Sequence, residues 1–346
     1  MLGTVYKIFA WVLIYGATGA ATALSSVHAA RKDITSLRLV QYNVEWLFID
    51  YYAPMDCPGA GCPWETVDAA HDHLDAVARV VNELDPDIIN MCEVEGIHEL
   101  SLVIDALDNS RGYAAHLIPG TDTSTGQNVG MISAESPAVD LYRDETTQTY
   151  PIAGSTCSYD GSGSTGLSKH YVTEFRLGNM SVAFIAAHLI AMPTDPARCA
   201  KREAQASILQ NMVYKFTSQK YEVIVMGDFN DFDADIMDIN SNVPLSRVLD
   251  IIKGRNVDPT SSASDKYTMT NLAEKISQSE RYSDWWDEDG NCVVSSNREL
   301  SMIDHMLVTP NLMNLVDNVF IYHAYDEYCG KINSDHYPVV VDFRTT

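Results

Sequence analysis

Basic residues are scarce in this sequence. Its 346 residues include 23 lysines and arginines against 47 aspartates and glutamates, which gives a formal net charge of −24. A protein that binds nucleic acid by charge alone needs a broad basic surface, so this composition excludes that class. If the substrate is a phosphate ester, a divalent metal is the obvious source of the missing positive charge.

The sequence also lacks repeats, domain linkers and long apolar runs beyond its first thirty residues. The length allows one large domain or two small ones, and a hydrophobic content of 46% is ordinary for a protein with a sizeable core. Because no linker divides the chain, we predict a single domain over residues 31–346.

Residues 1–30 differ from the rest. One lysine, Lys7, precedes the run IFAWVLIYGATGAATAL, and small-residue sites follow at 21–23 (ATA) and 27–29 (VHA). This arrangement is typical of a secretory signal peptide. An uncleaved membrane anchor is the alternative, because the run is close to the length that spans a bilayer. We expect a protein that is secreted or enters the secretory pathway.

Seven cysteines fit export, and no two-pair Cys/His spacing indicates a zinc site. Cys92 lies in the apolar segment DIINMCEV, which predicts a buried thiol. The other six allow fifteen connectivities. Among these we predict the pairs Cys57–Cys62, Cys157–Cys199 and Cys292–Cys329.

Hydrophobic periodicity predicts an alternation of strands and helices. Helices are predicted at 65–84, where apolar residues share one face, and at 197–216. The Gly/Ser-rich segment 154–168 is predicted to be a mobile surface loop. So many strands with few helices between them favour mixed sheets. The predicted strands are 37–44, 87–94, 129–133, 171–177, 181–190, 222–228, 302–309 and 337–343.

Polar residues stand at the ends of several of these strands. A single strand-end Asp or Asn usually belongs to a turn, and a single His is usually structural. Several together are harder to dismiss, because burying a carboxylate costs several kcal/mol unless it is paired or binds a metal. The residues concerned are Asn43, Glu45, Glu93, Glu95, His188, Asp228, Asn230, Asp304, Asp335 and His336.

Seven short motifs carry a resemblance to a known family. In order they are YNVEWLF, INMCEVE, NVGMIS, IAAHLI, VMGDFND, MIDHMLV and NSDHYPVVV. Their order resembles that of the endonuclease/exonuclease/phosphatase superfamily, the deoxyribonuclease I-like proteins, over residues 37–343. The resemblance implies a four-layer α/β sandwich, with two facing mixed sheets flanked by helices. It also implies hydrolysis of phosphate esters where strand ends from both sheets converge.

The resemblance also implies roles for individual residues. Glu93 matches the main Mg²⁺ ligand, with Asn43 beside it, and Asp335 matches a residue near a second metal position. Oxygen donors of this kind suit Mg²⁺, or Mn²⁺ in its place. His336 matches a histidine paired with an aspartate, here Asp304, that activates water or stabilises developing charge.

Three more positions complete the implied site. Asp228 and Asn230 match an Asp/Asn pair that orients nucleophile and phosphate, which makes Asp231 a turn residue. His188 matches a histidine that hydrogen-bonds the phosphate and assists the leaving group.

The chain departs from the family at one supporting position. Where pancreatic-type deoxyribonucleases have a glutamate that supports the histidine matching His188, this sequence offers Gln127 and Asn128. That weakens His188 as a proton donor and leaves Asn128 as a candidate substrate-binding residue. Lys169 is a second candidate phosphate contact, with His170 beside it.

Other notable residues are predicted to have structural roles. His71, His73 and His98 have the sequence setting of solvated residues. The segment WWDEDG (285–290) fits either a substrate-facing loop or a packed insertion.

The sequence therefore predicts an exported, Mg²⁺-dependent phosphodiesterase, with an endonuclease as the leading interpretation and nucleic acid as the substrate. A sphingomyelinase-type lipid phosphodiesterase shares the same catalytic set. An inositol-phosphate phosphatase ranks lower, because no obvious Lys/Arg cluster is available for a polyanionic headgroup. A non-catalytic binding protein on the same fold is the alternative outside enzymes, and no stable protein partner is inferred.

Overall fold

Strands dominate the protein. The computed structural model describes residues 35–51, 62–108, 111–291, 293–324 and 334–344. The strands of the first sheet are β1 (Leu37–Leu47), β2 (Ile88–Val94), β3 (Ala114–Leu117), β4 (Asn128–Ser133), β15 (Val316–Ile321) and β16 (Val339–Phe343). Those of the second sheet are β5 (Val139–Tyr142), β8 (His170–Leu177), β9 (Met180–Ala187), β10 (Glu222–Asp228), β11 (Thr270–Asn271) and β14 (Asp304–Val308).

Both sheets are mixed. The first has the order β15-β16-β1-β2-β4-β3 and the second the order β11-β14-β10-β9-β8-β5. One parallel pair lies near the centre of each sheet, β1 with β2 and β9 with β10, and the other neighbouring pairs are antiparallel. Two small hairpins pair β6 (Gln148–Tyr150) with β7 (Gly163–Thr165) and β12 (Asp284–Trp285) with β13 (Leu300–Ser301).

Helices cover the outer face of each sheet. The first sheet is covered by α1 (Val67–Leu84) and α2 (Ile97–Asp105), and the second by α3 (Pro196–Ser218) and α4 (Val248–Ile252), while a short α5 (Pro310–Met313) follows β14. Thr66 and Asp195 cap α1 and α3 by accepting hydrogen bonds from the first turn. The result is the predicted four-layer sandwich.

Three apolar clusters fill the spaces between the layers. Alternate residues of β1 divide between two of them, because successive strand side chains point to opposite faces. Leu37 and Leu39 lie in the central cluster between the sheets, whereas Val40, Tyr42 and Val44 pack in the cluster under α1 and α2. A third cluster joins the second sheet to α3 and α4. Both sheets are thus buried on two faces.

Most predicted elements agree with the structure to within a few residues, including the helices at 65–84 and 197–216. The prediction of a loop over 154–168 is wrong for 163–165, which form β7 and pair with β6. His73 is also buried rather than solvated, since its Nε2 bonds the carbonyl of Val44 at 2.7 Å and its ring stacks on Trp64.

The cysteines agree with prediction where the structure describes them. Cys157 and Cys199 form a disulfide, and Cys92 is a buried free thiol. Cys62 is disulfide-bonded, but Cys57, Cys292 and Cys329 lie outside the described residues. None of the helices within the described ranges has both the length and the apolar character needed to cross a membrane.

Candidate active site

Polar residues continue the inner faces of three strands at one end of the sandwich. On β1 the inward series Leu37, Leu39 runs on to Gln41 and Asn43, both fully buried. Asp228 ends the inward series of β10, and Asp304 begins that of β14 directly opposite it. The period of two therefore brings side chains from both sheets into one buried polar cluster.

Glu93 reaches this cluster through an irregularity in β2. The register shifts between Cys92 and Val94 on pairing with β4, and Glu93 has a φ of +66°. Such a bulge turns a side chain away from its regular face. The carboxylate of Glu93 then accepts hydrogen bonds from Asn43 Nδ2 at 3.3 Å and from the Trp46 amide at 3.2 Å.

The segment after β10 folds tightly around Asp228. Gly227 has a φ of +150°, and a Cβ there would lie 1.7 Å from the carbonyl oxygen of Ala187. Asn230 has a φ of +51°; its amide N–H donates to Asp228 Oδ1 at 2.9 Å, and its side-chain amide donates to the carbonyl of Leu189 at 3.1 Å. Only glycine fits at position 227, and the backbone fixes the orientation of the carboxylate.

Asp231 has the predicted structural role. It is fully buried and accepts hydrogen bonds from the amides of Phe232 and Ser246, at 2.8 Å and 3.2 Å. Arg202 lies 3.8 Å from the same carboxylate. Asp231 therefore braces the turn behind the site.

His336 and Asp304 form a direct pair. Nδ1 of His336 lies 2.7 Å from Oδ2 of Asp304. Gln41 and Ser283 donate to the two oxygens of the same carboxylate, at 3.0 Å and 2.9 Å. Because a carboxylate accepts the proton of Nδ1, this bond directs the other nitrogen, Nε2, into the site.

Four polar groups surround Nε2 of His336. Asn43 Nδ2 lies 3.4 Å away, Asp284 3.7 Å, Asp335 3.8 Å and Asp228 4.0 Å. The sequence interpretation missed Asp284, and the only signal was its position just before the ambiguous WWDEDG segment.

The two tryptophans of that segment differ. Trp285 is buried and its Nε1 donates to Glu299 at 3.2 Å, whereas Trp286 is 70% exposed. The first is therefore part of a packed insertion, and the second is free to meet a substrate.

The electrostatics of the cluster follow from burial and crowding. Burial alone would lower the pKa of His336, but the charges of Asp304, Asp335 and Asp228 raise it well above its ordinary value. Burial, reinforced by the charge of Asp304, raises the pKa of Asp228 to about 8. Burial likewise raises the pKa of Asp335 to about 7. The site therefore retains protons on some of its acids near neutral pH.

His188 enters the cluster from the end of β9. Its Nε2 lies 3.5 Å from Asp228 and 3.9 Å from Glu93. Its Nδ1 is buried with no hydrogen-bond partner among the described residues. Burial, with the nearby charges of Lys169 and His336, lowers the pKa of His188 well below its ordinary value. His188 is thus a neutral hydrogen-bonding group without a supporting carboxylate at Nδ1.

Gln127 and Asn128, at the position where the sequence departs from the family, bond to groups other than His188. Gln127 accepts a hydrogen bond from Lys169 Nζ at 3.1 Å. Asn128 accepts from the Gly120 amide at 2.6 Å and donates to the carbonyl of Glu95 at 2.7 Å. The structure gives Asn128 a bracing role, and its contact with substrate stays a prediction.

The two residues at the start of β8 differ. Lys169 lines a cavity next to Glu93 and His188, which suits its predicted phosphate contact. His170 is buried, and its Nε2 accepts from the Asp144 amide at 2.9 Å.

The donor set of the cluster fits a divalent cation. Glu93 and Asp228 present carboxylate oxygens, the ligand type that Mg²⁺ prefers. The predicted ligand Asn43 instead turns its Nδ2 toward both carboxylates, and its Oδ1 accepts from the Glu45 amide at 3.1 Å. Ligand atoms of Asp284, Asp335 and His336 lie within 4.8 Å of one another and form a second acidic group. A bound cation would stabilise the ionised form of crowded carboxylates such as Asp228 and Asp335, whose pKa values are raised in its absence.

Comparison with known proteins identifies the fold. No protein-family model and no curated protein sequence matches the chain. An endonuclease/exonuclease/phosphatase from Bacteroides vulgatus is 16% identical, with a TM-score of 0.55 over 90% of this chain and 100% of that one. The Neisseria 3′ phosphatase NExo, bound to a product DNA hairpin, is 15% identical, with a TM-score of 0.55 over 89% and 99%.

A third solved structure is similar. Danio rerio TDP2, complexed with a single-strand DNA product, is 13% identical, with a TM-score of 0.50 over 90% of this chain and 100% of that one. The likeness extends over nearly the full length of each chain. The resemblance seen in the sequence is confirmed at the level of the fold: the chain has the fold of the endonuclease/exonuclease/phosphatase superfamily.

Proposed function

We propose that this protein is a divalent-metal-dependent hydrolase of phosphate esters, and that it acts as a phosphodiesterase on nucleic acid. The observation that carries the proposal is the convergence of Asn43, Glu93, Asp228 and the His336–Asp304 pair at one end of the sandwich. These side chains come from four strands and one loop that are far apart in the sequence. Turns formed separately at each strand end would not bring them together in one cluster.

The chain's own residues divide the work of hydrolysis. Asp228 is held by the Asn230 amide and by Asn43 Nδ2 at 3.1 Å, and once ionised its carboxylate is placed to accept a proton from water. His336, oriented by Asp304, holds a proton at Nε2 where negative charge develops. Neutral His188 donates a hydrogen bond to the phosphate or leaving group.

Mg²⁺ or Mn²⁺ is the proposed cofactor. Glu93 would hold it, steadied by Asn43 Nδ2, with Asp335 and Asp284 near a second position. When bound, such an ion neutralises charge on the phosphoryl oxygens and orients the ester for in-line attack. The ion would also supply the positive charge that this acidic chain lacks, because its 47 acidic residues would otherwise repel a phosphate.

Nucleic acid is the proposed substrate for two reasons. Two solved proteins of the same fold were crystallised with DNA products. Tyr, Trp and Asn side chains can contact a sugar–phosphate backbone without a broad basic surface, and the exposed Trp286, two residues from Asp284 in the sequence, is one such group. Export through the predicted signal peptide remains part of the proposal, and the Cys157–Cys199 disulfide is of the kind that persists in oxidising compartments.

A hydrolysis screen tests the proposal. Protein lacking residues 1–30 is assayed with Mg²⁺ against DNA, RNA, sphingomyelin and inositol phosphates, with an Asp304→Asn/His336→Ala variant as the control for contaminating activity. We expect cleavage of DNA or RNA that the double variant has lost. Cleavage of sphingomyelin alone would move the assignment to a lipid phosphodiesterase, and no cleavage of any ester would favour a binding protein.

A further inference from the structure

A cavity adjoins the catalytic cluster. Its volume is about 590 Å³, and Glu93 and His188 form the end that faces the catalytic residues. The other walls come from the loop between β3 and β4, from residues 164–169 and from the first turns of α3. A group bound here would be attached directly to the ester at the catalytic cluster.

Three cations line this cavity. Lys169 enters from the start of β8, while Arg198 and Lys201 project from α3. Lys169 is only 9% exposed; its Nζ donates to Gln127 at 3.1 Å and lies 4.0 Å from Asp122. Burying this charge is costly, and the contacts with Gln127 and Asp122 offset part of that cost.

Arg198 and Lys201 have no carboxylate partner within the described ranges. Lys201 instead places its Nζ 5.6 Å from the ring centroid of Tyr150. Some other cations of the chain do have one, as Arg247 and Arg255 both do with Asp250. Two cations that lack one, facing the same cavity as Lys169, leave positive charge available to an anion.

The cationic wall is held in place by covalent and polar links. Cys199, between the two α3 cations, is disulfide-bonded to Cys157. Gln205 donates to the carbonyl of Gly166 at 3.3 Å and so joins α3 to the opposite wall. A preformed site loses less conformational freedom when a ligand binds.

We propose that this cavity binds a second phosphate group of the substrate, carried on a nucleotide-sized polar moiety next to the scissile ester. The proposal rests on the proposed function, which places the ester beside Glu93 and His188. A volume of about 590 Å³ is in the range of small-molecule sites and exceeds the needs of one phosphate.

Ligand binding without turnover tests the cavity itself. Thymidine 3′,5′-bisphosphate is titrated by calorimetry in excess chelator into the wild type, Arg198→Gln/Lys201→Gln, and the control Lys215→Gln. Lys215 is exposed in the last turn of the same helix. We expect the double variant to bind about 10–100-fold more weakly, since each charge-assisted contact is worth about tenfold, and the control to match the wild type. Equal affinity of all three proteins would overturn the proposal.

A second titration identifies the carrier of the phosphate. Glucose 1,6-bisphosphate has two phosphates and no base. If the wild type binds glucose 1,6-bisphosphate as tightly as the thymidine ligand, and only the double variant loses this binding, the site accepts phosphates on any polar carrier. Tighter binding of the thymidine ligand would support a nucleotide site.

Kinetics connect the cavity to catalysis. The dinucleotide TpT is compared with its 5′- and 3′-phosphorylated forms in the presence of Mg²⁺. We expect one phosphorylated form to have about a tenfold higher kcat/KM in the wild type. The double variant should lose this preference, and an unchanged preference would contradict the link between the cavity and catalysis. If the wild type cleaves no ester but the binding difference persists, the proposed function fails and the anion site stands.

Discussion

Nδ1 of His336 lies 2.7 Å from Oδ2 of Asp304, although 32 residues separate them in the chain. The two side chains come from opposite sheets, since Asp304 begins β14 and His336 precedes β16. Gln41 and Ser283 hold the carboxylate from two further directions. The geometry is that of an orienting acid and a proton-handling imidazole acting as one unit.

The pair should show non-additive losses. We expect His336→Ala to lower turnover by about 10²–10⁴, the range of a positioned acid–base group. Asp304→Asn should lose a similar amount, and the double variant should be little worse than the worse single variant. Turnover per folded molecule, measured beside the melting temperature, checks this. Near-normal turnover of the surviving folded fraction would show that the pair is only structural.

Replacing Gly227 should unfold the site rather than merely inactivate it. Gly227→Ala would place a Cβ 1.7 Å from the carbonyl of Ala187, and we expect a loss of roughly 3 kcal/mol or more in unfolding free energy. Gly112→Ala is the matched control, because Gly112 also has a positive φ, +76°, but has no atom within 4 Å of the added Cβ. It should cost about 1–2 kcal/mol of backbone strain alone. Urea unfolding of both variants separates clash from strain, and equal losses would refute the clash.

The Cys157–Cys199 disulfide should contribute substantially to stability. Its sequence separation is 42, and cross-linking a loop of that length stabilises by about 2–4 kcal/mol. We expect Cys157→Ser/Cys199→Ser to lose that amount in urea unfolding. Reductant should produce a smaller further change in the double variant than in the wild type. Unchanged stability of the double variant would mean that the bond does not constrain the unfolded chain.

His170 should make stability depend on pH in the acidic range. Burial, with the charge of Arg143, lowers the pKa of His170 to about 4. Since this is below the unfolded value of about 6.5, the unfolded state binds more protons between these limits. The contribution of His170 to the free energy of unfolding is therefore fully present above pH ~6.5 and is lost as the pH falls toward 4. His170→Gln, which cannot titrate, should show a flatter fall in unfolding free energy; parallel curves would contradict the prediction.

The sequence predicted the long elements because they depend on local patterns. The family resemblance pointed to most of the residues that the fold brings together, and their roles stay predictions. Buried strands such as β10 are apolar runs, and the motifs that end them are contiguous. Asp284 and Gln41 were missed because nothing local marks them: one lies in a two-residue strand and the other inside a buried strand. The position of the Glu93 side chain also depends on a β-bulge, which the alternation of apolar and polar residues along the strand does not reveal.

The cavity was likewise beyond sequence reasoning. Lys169 directly precedes β8, whereas Arg198 and Lys201 lie in α3, and the predicted loop over 154–168 comes before both in the sequence. That loop contains β7, and its cysteine anchors α3. The lysines and arginines looked dispersed along the chain, and only the tertiary fold brings Lys169, Arg198 and Lys201 to one cavity.

Metal dependence of hydrolysis tests the central claim most directly. Protein stripped with chelator is assayed on bis(p-nitrophenyl) phosphate while Mg²⁺ is titrated back, for the wild type, Glu93→Gln and the control Glu95→Gln. Glu95 accepts from backbone amides at 49–51 and lies two residues away. We predict no turnover without metal, saturable recovery in the wild type and control, and a large loss of metal affinity in Glu93→Gln. Full activity of the wild type in excess chelator would contradict the account.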